Sequence, residues 1–157
     1  MGNRKLAWII VIPLMIVSVF FGGFTTYLQT SNRIEAIYRT EAEPVLREKV
    51  QLIYNMITLH RLNNTGEAHL AGVLQNIAET QSQIKNFQQV DIEKLQADAV
   101  VLLANSSGFN EDDASRMNRL NLDVNERAEI LRQTNYNKVA KDFNSGILGN
   151  FGQLPTF

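Results

Sequence analysis

His60, Glu67 and His69 are the side chains whose types and nearness in the chain come closest to a metal site. Zinc needs three or four ligands at fixed geometry, and a helix presents two histidines on one face when they are four apart. Here the histidines are nine apart with a turn composition between them, and His60 falls on an apolar stripe, so the pattern points to a core histidine. Glu111, Asp112 and Asp113 sit where acids complement a helix N-terminus, which accounts for them without acid–base chemistry. No G-x-S-x-G, Walker loop or G-x-G-x-x-G occurs, so nucleophile-elbow and phosphate-cradle readings have no support. Gly146, Gly149 and Gly152, spaced by three, suit a flexible end. No catalytic residue, cofactor or metal is assigned, and the chain is not expected to be an enzyme.

Asparagine carries more information. Tyr136-Asn137 and Phe143-Asn144 repeat an aromatic-Asn pair seven residues apart. Seven residues are almost two helical turns, so both aromatics face one way with an Asn beside each. The simpler reading is an aromatic pair in a core, with the amides bonding neighbouring helices or turns. The alternative is a polar clamp for a partner. Asn55 joins these as a polar position on an otherwise apolar-striped helix.

These positions need a scaffold, and the scaffold starts with residues 6–28, LAWIIVIPLMIVSVFFGGFTTYL, a run without a charge. At 1.5 Å per residue it spans roughly 34 Å, enough for a hydrocarbon core of about 30 Å. Trp8 and Tyr27 lie near its two ends, where amphipathic rings suit the headgroup layer. Phe21 would occupy the −3 position of a cleavage site after Gly23 and is too large for it, so an uncleaved anchor is expected. There is no cysteine to carry a lipid. Arg4 and Lys5 favour an N-terminus in the cytoplasm, and Arg33, Arg39 and Arg47 on the other flank nearly balance them. The expected organisation is a short basic N-terminus (1–5), a transmembrane anchor (6–28), a helical bundle (29–148) and an irregular tail (149–157).

Beyond residue 28, 13 Lys and Arg face 16 Asp and Glu, since Arg4 and Lys5 are the only charges before it. That net charge of −3 leaves no electrostatic footprint for nucleic acid. Few prolines and no alternating runs predict an all-α fold: one membrane helix followed by an antiparallel bundle with a long C-terminal helix. The first helix is expected to continue past the membrane to about Glu43, where Pro44 closes it and opens a second helix to Leu62. Leu46, Val50, Ile53, Ile57 and His60 form a heptad-like stripe on that second helix. After a turn at residues 63–66, with Thr65 as its cap, a third helix (66–89) carries Leu70, Leu74, Ile77, Gln81 and Ile84. A fourth follows Asp91 with Ile92, Leu95, Ala99 and Leu102 inward. The last runs from Glu111 to Ile147, capped by Asn110, with Met117, Leu120, Val124, Leu131, Val139, Phe143 and Ile147 on one face. The stripes read as bundle core, and a narrower seam for a homo-oligomer can coexist with that.

The order of these features resembles the LemA family of bacterial membrane proteins. Residues 126–147, ERAEILRQTNYNKVAKDFNSGI, look like the family's closing helix, with Glu126, Tyr136, Asn137, Phe143, Asn144 and Ile147 in one ungapped register. Residues 51–57, QLIYNMI, are similar to its D-L-I-P-N-L-V, with Lys49 where basic residues precede it. Glu67 and Ala78 match further family positions, and Tyr38 stands near the place of a family tryptophan. Gln51, Tyr54 and Glu79 depart from the family's Asp, Pro and Arg, the F-P after the last helix is missing at Asn150-Phe151, and residues 85–117 show little likeness. The resemblance implies a helical bundle tethered by one helix in the bacterial cytoplasmic membrane, with no established catalytic activity.

Three functional readings follow. The leading one is a non-enzymatic envelope protein, anchored in the lipid bilayer through residues 6–28, that binds an unidentified protein partner or organises an assembly. A second is a ligand-binding sensor or enzyme with a polar pocket around Asn55, Tyr136, Asn137 and Asn144. A third is a phage or accessory protein acting on a host envelope.

Overall fold

The computed structural model describes the backbone of residues 2–63 and 68–157, and the side chains of 10–63 and 69–157. The Trp8 ring, the Thr65 cap and Glu67 lie outside the described residues. The chain is all-α: α1 (Gly2–Ile37), α2 (Glu43–Leu62), α3 (Ala68–Lys85), α4 (Ile92–Ala104), α5 (Glu111–Gln133) and α6 (Asn135–Ser145). A five-residue π-turn, Tyr38–Ala42, joins α1 to α2, and a short 3-10 helix, Ile147–Phe151, follows α6.

α1 and α2 do not separate at Pro44 as the sequence suggested. From Ile10 to Leu62 the chain is one 53-residue helical rod. A proline inside an α-helix lacks a donor and its ring meets the carbonyl four residues back. The π-turn removes that conflict by opening the ladder, with the Glu43 N–H reaching the carbonyl of Tyr38, and Pro44 then occupies the first turn of α2. The same extra residue keeps one face inward. Ile34, Tyr38, Ala42, Leu46 and Val50 are all buried at spacings of four, a period that an unbroken α-helix of 3.6 residues per turn would carry off the core. The N-terminal part of the rod is long and apolar enough to cross a membrane, and its Ile10–Phe21 side chains are exposed.

Helices α2 to α5 run up, down, up and down. Pairings of Lys49 with Val124, Glu48 with Arg127 and Asn63 with Asp113 set α2 antiparallel to α5. Asn76 with Asp98 and Glu79 with Lys94 do the same for α3 and α4. Each fully buried aliphatic chain, such as Ile53, Ile57, Leu70 or Leu102, contributes about 1.5–3 kcal/mol. Asp91 caps α4 by accepting from the Glu93 and Lys94 N–H groups at 3.0 and 2.9 Å, and Asn110 caps α5 by accepting from Asp113 N–H at 2.9 Å.

Three expectations change. On α3 the buried stripe is Leu70, Val73, Ile77, Thr80 and Ile84, while Leu74 is half-buried and Gln81 exposed. Both registers satisfy the helical period, and the packing against α2 and α4 chooses between them. α3 also ends early, at Lys85, in a Schellman turn: the Gln88 N–H reaches the Gln83 carbonyl at 2.9 Å and Phe87 takes φ 53°. Last, the long C-terminal helix breaks at Thr134, whose ψ of 146° is extended. The break satisfies itself: the Thr134 hydroxyl accepts from Asn137 N–H at 3.2 Å, the Asn137 amide donates to the Arg132 carbonyl at 3.0 Å, and Glu41 accepts from Tyr136 N–H at 2.9 Å. Beyond it Tyr136, Asn137, Ala140 and Phe143 turn inward, and Ile147 is 82% exposed instead of joining the core.

Candidate functional site: a side-chain clamp on residues 152–157

The π-turn organises the region around α6. Tyr38 lies edge-on to Tyr136, ring centroids 5.2 Å apart, and both pack on Phe87, at 4.8 and 6.3 Å. Arg39 donates to the Lys85 carbonyl at 3.1 Å, closing the end of α3, and pairs with Glu35 and Glu43 on its own helix. Glu41 holds the first turn of α6, where an anion also meets the positive end of the helix dipole. Burial keeps both phenols protonated: it pushes Tyr38 up to about 12, helped by Glu43, and raises Tyr136 further. They are donors, and Tyr136 uses its proton on the Pro155 carbonyl at 2.6 Å.

Against this platform lies the extended segment 152–157. The Asn144 amide pairs with both backbone groups of Leu154, donating to its carbonyl at 2.8 Å and accepting from its N–H at 2.7 Å. Asn137 treats Phe157 the same way, at 2.7 and 2.8 Å. Gln89, from the α3–α4 connection, accepts from Thr156 N–H at 2.8 Å and donates to its carbonyl. The spacing explains why the motif repeats at seven. Seven helical residues rise about 10.5 Å, and three extended residues cover about 10 Å, so Asn144 and Asn137 meet Leu154 and Phe157 in register. Six backbone groups are thereby satisfied by side chains instead of by a neighbouring strand, of which there is none among the described residues.

The glycines once read as a flexible end serve close approach. A Cβ on Gly149 would overlap the backbone of Asn144, and one on Gly152 would stand 2.6 Å from the Tyr27 hydroxyl. Phe143 packs on Tyr27 at 5.7 Å, so the clamp region also touches the rod at the last turn of its apolar run.

Asn55 is not part of this arrangement. It bonds Gln51 along α2 and lines a separate groove between α2 and α5, of about 360 Å³, with Thr58, Leu59, Arg116, Arg119, Leu120 and Asp123. The polar pocket imagined around Asn55, Tyr136, Asn137 and Asn144 is therefore two places. His60 is buried as expected, its Nε2 2.7 Å from the Leu102 carbonyl, and its pKa is held below the usual value by burial. His69 stacks edge-on to it at 4.9 Å, closer than their sequence separation suggested. Among the described residues no cluster of three His, Asp or Glu could hold a metal.

Sequence reading found Tyr136, Asn137, Phe143 and Asn144 through their repeat, but missed Gln89, Glu41 and Arg39. Glu41 and Gln89 carry no local mark, because their partners lie 95 and 67 residues away, and the helical pairing of Arg39 with Glu35 and Glu43 does not disclose its bond to the Lys85 carbonyl 46 residues on. No protein family, curated protein or solved structure matches the chain.

Proposed function

We propose that the chain is a membrane-tethered, non-enzymatic helical bundle that docks a protein partner at a bacterial envelope membrane, a divergent relative of the LemA proteins. The observation that carries this reading is the unbroken rod from Ile10 to Leu62. A flexible linker would let the bundle wander, whereas a shared helix holds whatever it binds at a fixed height and angle. The α2–α5 groove supports partner docking: Leu59 and Leu120 give it an apolar floor, and Arg116, Arg119 and Asp123 give it a charged rim. The clamp agrees with the LemA resemblance, since the aromatic-Asn pairs that carry it have a common structural task.

Affinity capture from gently solubilised membranes should recover a stoichiometric partner or a homo-oligomer, and Arg119→Glu should release it. A monomer with no partner, with and without cross-linking, would count against the reading. Sidedness follows from a single cysteine at exposed Leu122 in this cysteine-free chain. Labelling of intact cells by an impermeant thiol reagent places the bundle outside the cytoplasm, and protection until lysis reverses the assignment.

A further inference from the structure

The 3-10 helix after α6 sits beside the candidate span, not beside the bundle's far end. The Phe151 ring stands 3.0 Å from where a Gly23 Cβ would be and 6.1 Å from the Tyr27 ring. Gly23 lies five residues inside the end of the apolar run at Leu28, which is roughly 7 Å along the rod. Phe151 is thus held at a depth that belongs to the membrane if the rod crosses one. Its neighbours suit that position. Residues 143–157, FNSGILGNFGQLPTF, contain no charged side chain, although the helices before them are strongly charged. Ile147, in the same short helix, is 82% exposed, the most exposed large apolar side chain beyond the anchor. A single exposed apolar side chain is ordinary in water, and beside the rod, in the headgroup–acyl boundary, it is also the expected one.

We propose that Ile147–Phe151 is a second membrane contact, a short interfacial wedge that enters the lipid beside α1 and fixes the tilt of the bundle against the bilayer. The occupant of this surface is lipid, because Phe151 seats on the rod at Gly23, next to the exposed Phe24 ring and the exposed apolar side chains that precede it. The clamp on residues 152–157 then has a reason: it pins the far end of the wedge to the bundle, so that one rigid body meets the membrane at two points. The inference rests on the rod being a membrane span.

The absence of cysteine makes the test direct. Nitroxide labels on Val19→Cys, Ile147→Cys and Leu122→Cys would be read in the full chain, in nanodiscs of phosphatidylcholine and phosphatidylglycerol. All three positions are exposed, so none should disturb folding. Relaxation by oxygen against that by a water-soluble nickel complex reports depth. The expected result is a deep Val19 label, an aqueous Leu122 label, and an Ile147 label about 5–10 Å below the headgroup surface. An Ile147 label as aqueous as that at Leu122, with Val19 deep, would overturn the wedge and leave the tether standing. An aqueous Val19 label would overturn the tether, and the wedge with it.

Discussion

Lys49 is fully buried on α2, and its ammonium donates to the Val124 carbonyl of α5 at 3.2 Å. Among the described residues no carboxylate pairs with it. Burial, with a smaller contribution from Arg132, lowers its pKa from 10.5 to about 8. Lowered for a lysine means that the unfolded chain binds more protons than the folded one between those values. Stability must therefore rise with pH across that window. Worked from the two pKa values, the gain from pH 8 to pH 10 is about 2 kcal/mol, and the full penalty below pH 8 is about 3 kcal/mol. The tyrosines offset part of it, and comparison with a Lys49 variant removes their contribution. Tyr38 and Tyr136 have raised pKa values, so they work in the opposite sense near pH 10, removing about 0.4 kcal/mol each by that point, and they do so equally in a Lys49 variant. Replacing Lys49 with Met removes the buried charge and one hydrogen bond worth about 1 kcal/mol, so Lys49→Met should stabilise the protein at pH 7 by about 2 kcal/mol. Urea unfolding of the full chain in mild detergent, followed by loss of helical circular dichroism, measures both effects. From pH 8 to pH 10 the wild type should gain about 2 kcal/mol relative to Lys49→Met. A difference that does not change with pH, or a variant less stable than its parent at pH 7, would refute the argument from desolvation.

The clamp predicts that Asn144→Ala costs about 1–3 kcal/mol locally, speeding exchange of the Leu154 amide proton by about tenfold or more while α2 and α5 exchange as before. Unchanged exchange would remove Asn144 from the clamp. His60 is held neutral by burial, so protonation favours the unfolded chain and stability should fall as pH drops below the usual value of 6.5. That fall should be smaller in His60→Leu, and equal slopes would mean that the imidazole is not what titrates. At Phe87, glycine would relieve about 1–2 kcal/mol of left-handed strain but lose about 3 kcal/mol of ring packing between Tyr38 and Tyr136. Phe87→Gly should accordingly lower the thermal midpoint, and a rise would show that strain dominates.

Much of the scaffold was legible because its causes are local. The uncharged apolar run, the 3–4 spacing of Leu46, Val50, Ile53 and Ile57, the helix start after Asp91 and the cap at Asn110 each depend on residues within a turn or two. The burial of His60 followed from its place on that stripe. The register of α3 was not decided locally, since Leu74 and Gln81 fit the same period as Val73 and Thr80 and only the neighbouring helices select between them. Pro44 and Thr134 mark the sharper failures. Proline read as a terminator and Thr-Asn as mid-helix, yet a π-turn carries the rod through the first, and Glu41, 95 residues away, helps hold the break at the second.

The same division applies to the candidate site. The spacing of Tyr136-Asn137 and Phe143-Asn144 is enough to put both pairs on one helix face, because helical rise and rotation are properties of the backbone. It could not determine what the amides hold. An Asn amide accepts and donates equally well to a helix, a turn or an extended strand, and only the fold brings Leu154 and Phe157 to the matching spacing and Phe151 to the depth of Gly23. Period and capping are short-range physics and can be read along the chain; which unsatisfied groups meet is settled by where the chain returns.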